Sequence, residues 1–228
     1  MAAGRLLIGT KRYSSWSLRG WLAVRMAGLD VEEVRIPLAG ADAGGTPEVR
    51  SSTPAGLVPY LEHEGARVWE SLAILEYCAE LAPAGTFWPE DRAVRAALRS
   101  AATEMHGGFA ALRRAFPMVL GERASAGARD SRLTDEAQAD LARVCALWGE
   151  ALALTGGPYL GGASFGGADV MYAPVCTRVA TWGLEVPGHA RAYGEAALAH
   201  PLVVRWHEEA AAEPPEWRLE RYEAALRG

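Results

Sequence analysis

Lysine is almost missing from this 228-residue sequence: Lys11 is the single one among 23 basic side chains, and arginine supplies the rest. Acidic residues number 28, so the formal net charge is −5. That balance speaks against nucleic acid as the main partner, which calls for a basic face. The arginine bias, in a chain also rich in alanine and glycine, reads as genomic composition rather than as an arginine-built binding surface. Cysteine is scarce too. Cys78, Cys145 and Cys176 are odd in number, far apart and without a CxxC pair. They suggest neither a disulfide framework nor a zinc site. Each lies in an apolar helical context that suits a small buried side chain. No apolar run approaches the roughly 20 residues of a membrane span. Leu6-Leu7-Ile8 is too short for the core of a secretory signal. A cytoplasmic location without membrane or metal is the expectation, and no internal repeat or low-complexity tail interrupts the chain.

What is present is an ample apolar half, enough for one large folded unit or two small ones, each with a core. Arg5 to Gly9 reads as a strand, followed by a polar loop, Thr10 to Ser15. Leu18, Trp21, Leu22 and Arg25 fall at helical intervals, which predicts a helix over Trp16–Ala27 closed by Gly28. Val31 to Leu38 reads as a second strand, completing a βαβ unit with a right-handed crossover. After a Gly/Ala/Asp loop, Ala39 to Gly45, Thr46-Pro47-Glu48 opens a short helix with proline at its first position. That helix ends by Ser52. Val58–Glu62 and Arg67–Glu70 form a hairpin around Glu64-Gly65, and Ser71–Leu81 is a helix. The order βαβαββα is that of a thioredoxin-like domain.

The remainder is helical, so the fold class is α/β plus all-α. Residues 1–82 form the N-terminal thioredoxin-like domain. A linker at 83–90, marked by Pro83, Gly85 and Pro89, leads to a C-terminal helical-bundle domain at 91–228. Its expected helices are Asp91–Phe116 (interrupted at Gly107-Gly108), Leu133 to about Leu154, Gly166–Thr181, His189–His200, Pro201–Ala212 and Glu216–Leu226. Ser125 to Arg132 reads as a polar loop. The tryptophans, Trp69 included, fall mostly on apolar faces and read as core, with Trp16 the exception.

One stretch can carry chemistry. Pro59 opens an otherwise apolar strand, a place proline tolerates because it cannot donate to a ladder. X-Pro bonds take the cis form at modest cost. A cis Val58-Pro59 bond would turn the Val58 amide and carbonyl outward, toward an extended peptide. Glu70-Ser71 places a carboxylate and a hydroxyl at a helix start, beside amides that favour an anion. Two readings stand side by side: a loop-ending proline with a helix cap, or a docking place for a small zwitterionic peptide.

Five short motifs, in order and spread over nearly the whole chain, give it a family likeness. They are Tyr13-Ser14-Ser15-Trp16-Ser17-Leu18-Arg19, Gly56-Leu57-Val58-Pro59, Glu70-Ser71-Leu72-Ala73-Ile74, Tyr159-Leu160-Gly161 and Phe165-Gly166-Gly167-Ala168-Asp169. With them the chain resembles the cytosolic glutathione S-transferases of the serine type, with a zeta-like loop. The resemblance implies glutathione as co-substrate. Val58 would pair through its backbone with the cysteine of glutathione, beside Pro59. Glu70 would face the γ-glutamyl ammonium and Ser71 its carboxylate. A loop serine, Ser14 first and Ser15 second, would hydrogen-bond the sulfur. Free thiols titrate near pH ~8.5 and only the thiolate attacks well, so a donor aimed at sulfur favours the reactive form.

The implied activity is conjugation of the glutathione thiolate to small electrophiles, a detoxification chemistry, by a homodimer. Two alternatives accompany it: glutathione-dependent cis–trans isomerisation of the maleylacetoacetate type, and a non-catalytic transferase-like binding protein. Zeta-class loops read Ser-Ser-Cys; here Trp16 stands where that cysteine would be. The second-substrate pocket is expected between the domains, with Trp16, Met105, His106, Phe109 and Arg113 as candidates. His106 could act as an acid or base near neutral pH, although a single histidine on a helix is more often only packed or solvated, and that is the preferred reading. At the start of the Gly166 helix, Asp169 can reach back to the Gly166 amide, half of a capping box.

Overall fold

The computed structural model describes residues 2–39 and 46–228; the expected loop over Ala39–Gly45 therefore lies, Ala39 apart, outside the described residues. Strand β1 (Gly4–Gly9) is an inner strand of a four-stranded sheet. Leu6, Leu7 and Ile8 are buried on both faces, which is why this strand is a continuous apolar run rather than an alternating one. It pairs in parallel with β2 (Glu32–Ile36) and antiparallel with β3 (Tyr60–His63), which pairs in turn with β4 (Ala66–Trp69). The sheet order is β2-β1-β3-β4. Glu64 and Gly65 make the hairpin turn, both at positive φ. The strand before them starts later than the sequence suggests. Val58 and Pro59 stay outside the ladder, and the peptide bond between them is cis.

Helices α1 (Ser15–Met26) and α3 (Ser71–Leu81) pack together on one face of the sheet. The other face carries the smaller cluster of Leu7, Ile36, Val49 and Tyr60, with Val49 contributed by α2 (Pro47–Ser52). This gives the expected βαβαββα order. Helix α1 runs close over Pro59: a Cβ on Gly20 would lie 2.7 Å from the Pro59 Cγ. Glycine leaves room there for the Pro59 ring packed against the helix.

The second half is built from α4 (Arg92–Gly107), α5 (Ala110–Ala115), α6 (Ala126–Arg132), α7 (Asp135–Thr155), α8 (Gly167–Trp182), α9 (Gly188–Leu198), α10 (Pro201–Ala211) and α11 (Glu220–Arg227). Helix α8 is buried along almost its whole length, packed by α1, α4 and α9. The expected break at Gly107-Gly108 separates α4 from α5. Two expectations are corrected. The stretch Ser125 to Arg132 is not a loop: the Ser125 Oγ accepts from the Ala128 amide at 3.0 Å and caps α6. The last helix begins late, because Pro215–Trp217 forms a 3₁₀ turn and α11 starts only at Glu220. The Asp169 carboxylate accepts from the Gly166 amide at 2.8 Å, as expected, and from the Leu160 amide at 2.9 Å. Burial pushes that carboxyl up to about 6.

One continuous core spans both halves. Arg19 on α1 donates through Nε to the Met171 carbonyl of α8 at 3.0 Å. Lys11, the lone lysine, is fully buried; its ammonium meets Glu33 at 2.7 Å and Glu209, and lies 4.9 and 4.8 Å from the Trp21 and Trp206 ring centres. The three cysteines are buried free thiols. Burial pushes Cys78 up to about 12 and Cys145 up to about 11, and raises Cys176 further. Among the described residues no helix is long and apolar enough to cross a membrane.

Candidate active site

The turn from β4 into α3 holds Glu70 at φ 69°. That is left-handed territory, which costs a non-glycine residue on the order of 1–3 kcal/mol and tends to persist at functional positions. The Glu70 side chain is half exposed. Ser71, the first residue of α3, is wholly buried, and its Oγ makes no hydrogen bond among the described residues. A buried hydroxyl of this kind costs about 1–3 kcal/mol in an isolated chain. Across from it, His106 Nε2 lies 3.6 Å from Glu70 Oε2. Burial holds the His106 imidazole below its ordinary value; Glu70 pulls it up, while Arg19 and Arg113 push it down. Glu70 and His106 border a cavity of about 380 Å3, together with Trp16, Val58, Pro59 and Trp69.

The loop before α1 is pinned from two sides. Ser14 is the N-cap of α1: its Oγ accepts from the Ser17 amide at 3.3 Å and donates to the Ser17 Oγ at 2.8 Å. Ser17 Oγ in turn accepts from the Gly9 amide at 3.0 Å. The Ser14 proton is thereby committed to the cap. Ser15 differs. Its Oγ accepts from Arg178 Nη2 at 3.2 Å and leaves its own O–H free to donate. Arg178 is buried on α8, where its Nε and Nη1 donate to the Phe116 and Pro174 carbonyls at 2.8 and 3.1 Å. Burial and the Arg113 charge push Arg178 down to about 10, so it stays a cation at neutral pH. Tyr13 is fully engaged. Its hydroxyl donates to Glu223 and accepts from the Leu219 amide at 3.1 Å, and burial raises it to about 12. Arg12 holds Glu223 through two hydrogen bonds, at 2.7 and 3.0 Å.

Trp16 is the wall between two cavities. The Arg19 and Arg113 guanidinium carbons lie 4.7 and 5.3 Å from its ring centre, and His106 meets it edge to face at 5.3 Å. Beyond it lies a second cavity of about 650 Å3, lined in part by Ser14, Ser15, Arg113 and Arg178. The structure therefore brings Val58, Pro59, Glu70 and His106 around one cavity, and Ser14, Ser15 and Arg113 around the other. Ser71 lies buried behind Glu70.

Met105 and Phe109 are corrections, because both are buried in the core and line neither of these two cavities. Met105 continues the inward stripe of α4 that includes Leu98, Ala101 and Ala102. Phe109 takes a left-handed conformation that sets up α5. Trp69, expected in the core, is 45% exposed and borders the first cavity. Arg178 went unnoticed in the sequence, although a lone cation amid Val170, Met171, Ala173, Val175 and Val179 was the available signal.

Two family models match this chain: the glutathione S-transferase N-terminal domain over residues 13–81, and the glutathione S-transferase C-terminal domain over residues 131–209. Among curated proteins it is similar to the maleylacetoacetate isomerases of Mus musculus and Rattus norvegicus. Each is 36% identical over 101 residues, which are 43% of this chain and 46% of theirs. The chain thus matches about half the length of these curated relatives. Among solved structures it is similar to the theta class glutathione S-transferase from Xanthomonas axonopodis pv. citri with glutathione bound. Identity there is 25%, coverage 91% of this chain and 98% of that one, and the TM-score 0.64. The tau class enzyme from mango, Mangifera indica, shares the fold at 19% identity, with 92% and 96% coverage and a TM-score of 0.66.

Proposed function

This chain belongs to the glutathione S-transferase family, and from that premise we propose that it conjugates the glutathione thiolate to small electrophiles. The observation that carries the reading is the start of α3. A buried Ser71 hydroxyl, without a hydrogen bond among the described residues, follows a strained Glu70 at the first helix amides, and Glu70 shares its cavity with Val58 and Pro59. Ser71 and the amides suit the γ-glutamyl carboxylate, Glu70 suits its ammonium, and the Val58 backbone suits the cysteine residue. The sulfur then lies toward the edge of Trp16, where the two cavities meet. Ser15 is the better activator, since its proton is free and the Arg178 cation beside it favours an anion nearby. Ser14 serves as the cap. Domain limits at residues 82 and 91, the homodimer and the cytoplasmic location belong to the same proposal.

Calorimetry with glutathione and a kinetic comparison of Ser15→Ala with Ser14→Ala test this. Ser15→Ala is expected to lower kcat/KM on the order of a hundredfold, as losing one donor to a developing or bound anion does, and to raise the pKa of the bound thiol. Ser14→Ala should act chiefly on stability, by about 1 kcal/mol. Absence of glutathione binding sinks the reading. An unchanged thiol pKa in Ser15→Ala removes Ser15 from it.

The likeness to maleylacetoacetate isomerase favours a second reading, in which the same thiolate adds and is then eliminated, leaving the double bond in the other geometry. Trp16 in place of the zeta-class cysteine weighs against it. Turnover of maleylacetone decides.

A further inference from the structure

Resting on the transferase reading, we infer that the second cavity selects electrophiles that carry a carboxylate, bound by Arg113 and Arg178. Five arginines line this cavity, namely Arg113, Arg114, Arg132, Arg178 and Arg221, and none of its lining residues is Asp or Glu. That is a concentrated positive charge in a chain of net charge −5. Elsewhere arginines find acids: Arg12 pairs with Glu223, Arg99 with Glu76, Arg143 with Glu104. None of the five forms an ion pair among the described residues: Arg113, Arg132 and Arg178 donate to carbonyls, Arg178 and Arg221 to hydroxyls, and Arg113, Arg132 and Arg221 lie over aromatic rings. Asp140 acts on Arg113 and Glu136 on Arg114 only from beyond ion-pair distance.

Arg178 is the sharpest case, at 5% exposure. A buried cation without a counter-ion is costly, and the guanidiniums of Arg19, Arg113 and Arg178 oppose one another: burial first and then their mutual charge hold Arg19 down to about 9 and Arg178 to about 10. An anionic ligand supplies the missing charge, and the planar fork of arginine fits a carboxylate. Trp16, Pro117 and Met118 provide apolar wall for the rest of the molecule. Ser15 sits on the same cavity, so a substrate anchored on Arg113 and Arg178 presents its reactive carbon near the sulfur. In conjugate addition the thiolate sulfur forms a C–S bond to the alkene carbon β to a carbonyl. The π pair moves to the carbonyl oxygen as an enolate, and a water proton ends on the α carbon.

The test uses (E)-4-oxo-2-pentenoate and its methyl ester, which carry the same enone with and without the negative charge. Binding of each is measured by calorimetry without glutathione, and kcat/KM with it, each divided by its uncatalysed rate. The acid is expected to surpass the ester about tenfold or more, as a charge-assisted hydrogen bond allows. Arg113→Gln should reduce the acid-to-ester ratio about tenfold. This variant carries the test even if Arg178→Lys fails to fold, because Arg113 is only partly buried. Equal handling of acid and ester, or a ratio unmoved by Arg113→Gln, overturns the inference. Glutathione binding is titrated separately. Its absence overturns the transferase reading, while acid-over-ester binding still decides whether this cavity is a carboxylate site.

Discussion

Ser14 and Ser71 both stand at helix starts, yet their hydroxyls have opposite fates. Ser14 occupies the N-cap and finds Ser17 three residues on. Ser71 is one position further in, with Glu70 at the cap, and its hydroxyl makes no hydrogen bond among the described residues. Ser71→Ala is therefore expected to stabilise the ligand-free fold by about 1 kcal/mol, because it removes an unpaired buried hydroxyl, while weakening glutathione about tenfold in calorimetry, the worth of one hydrogen bond to a charged group. A stability loss with unchanged affinity would make Ser71 a packing residue. Sequence alone made these two serines look alike, since both precede apolar helical spacing. What separates them is a one-residue offset in the cap, and φ at Glu70 sets that offset. The sequence ranked Ser14 ahead of Ser15 for a different reason: the contact that distinguishes Ser15 comes from Arg178, 163 positions away.

At the scale of elements, the loop from Thr10 to Ser15 is held by the far end of the chain. Glu213, beyond α10, accepts from the Lys11 and Arg12 amides at 2.6 and 3.2 Å, and Glu223 on α11 takes Arg12 and Tyr13. Burial alone would raise the Glu223 carboxyl, but hydrogen bonds from Arg12 and Tyr13 outweigh it and hold the group below its ordinary 4.5. A depressed folded value means the stabilisation is complete above pH 4.5 and is lost as pH falls through the folded value. Glu223→Gln should thus lose about 2 kcal/mol near neutral pH, in the range of hydrogen bonds to a charged group. Urea unfolding across pH should show the difference from the parent protein shrinking as both are acidified. A pH-independent difference would mean the contact works by shape rather than charge. Strands and helices of the first 80 residues were legible because period and breakers are local properties. This clamp was not, because its partners lie some two hundred residues apart. The α6 helix was missed for a smaller reason: its apolar content is low, and Ser125 as cap is the one signal that it begins.

In the molecule as a whole, two halves that the sequence distinguishes by composition share one core. Lys11 shows how: from the end of β1 it reaches Glu33 of β2 in one half and Glu209 of α10 in the other. Lys11→Met removes the buried cation that Glu33 and Glu209 share, leaving Arg25 on the first and Arg205 on the second, and is expected to cost about 2 kcal/mol, below the range for a buried charge left wholly unpaired. Because the halves are fused, tryptophan fluorescence and far-ultraviolet dichroism should report a single coincident transition in both proteins; two separated transitions would show that the halves unfold independently. Composition suggested that the arginines were a genomic habit. The fold gathers five of them around one cavity, a convergence that no count can reveal. Composition did identify the cysteines correctly as interior side chains, and their seclusion has a bearing on durability. A catalyst working among thiol-seeking reagents is consumed by them if its own sulfurs are open. With all three buried and their thiols held protonated, brief exposure of the native protein to iodoacetamide should leave its intact mass unchanged. In denaturant the same reagent should add three labels, so the fold itself is what shields these sulfurs from thiol-seeking reagents, the class of substrate proposed for this chain.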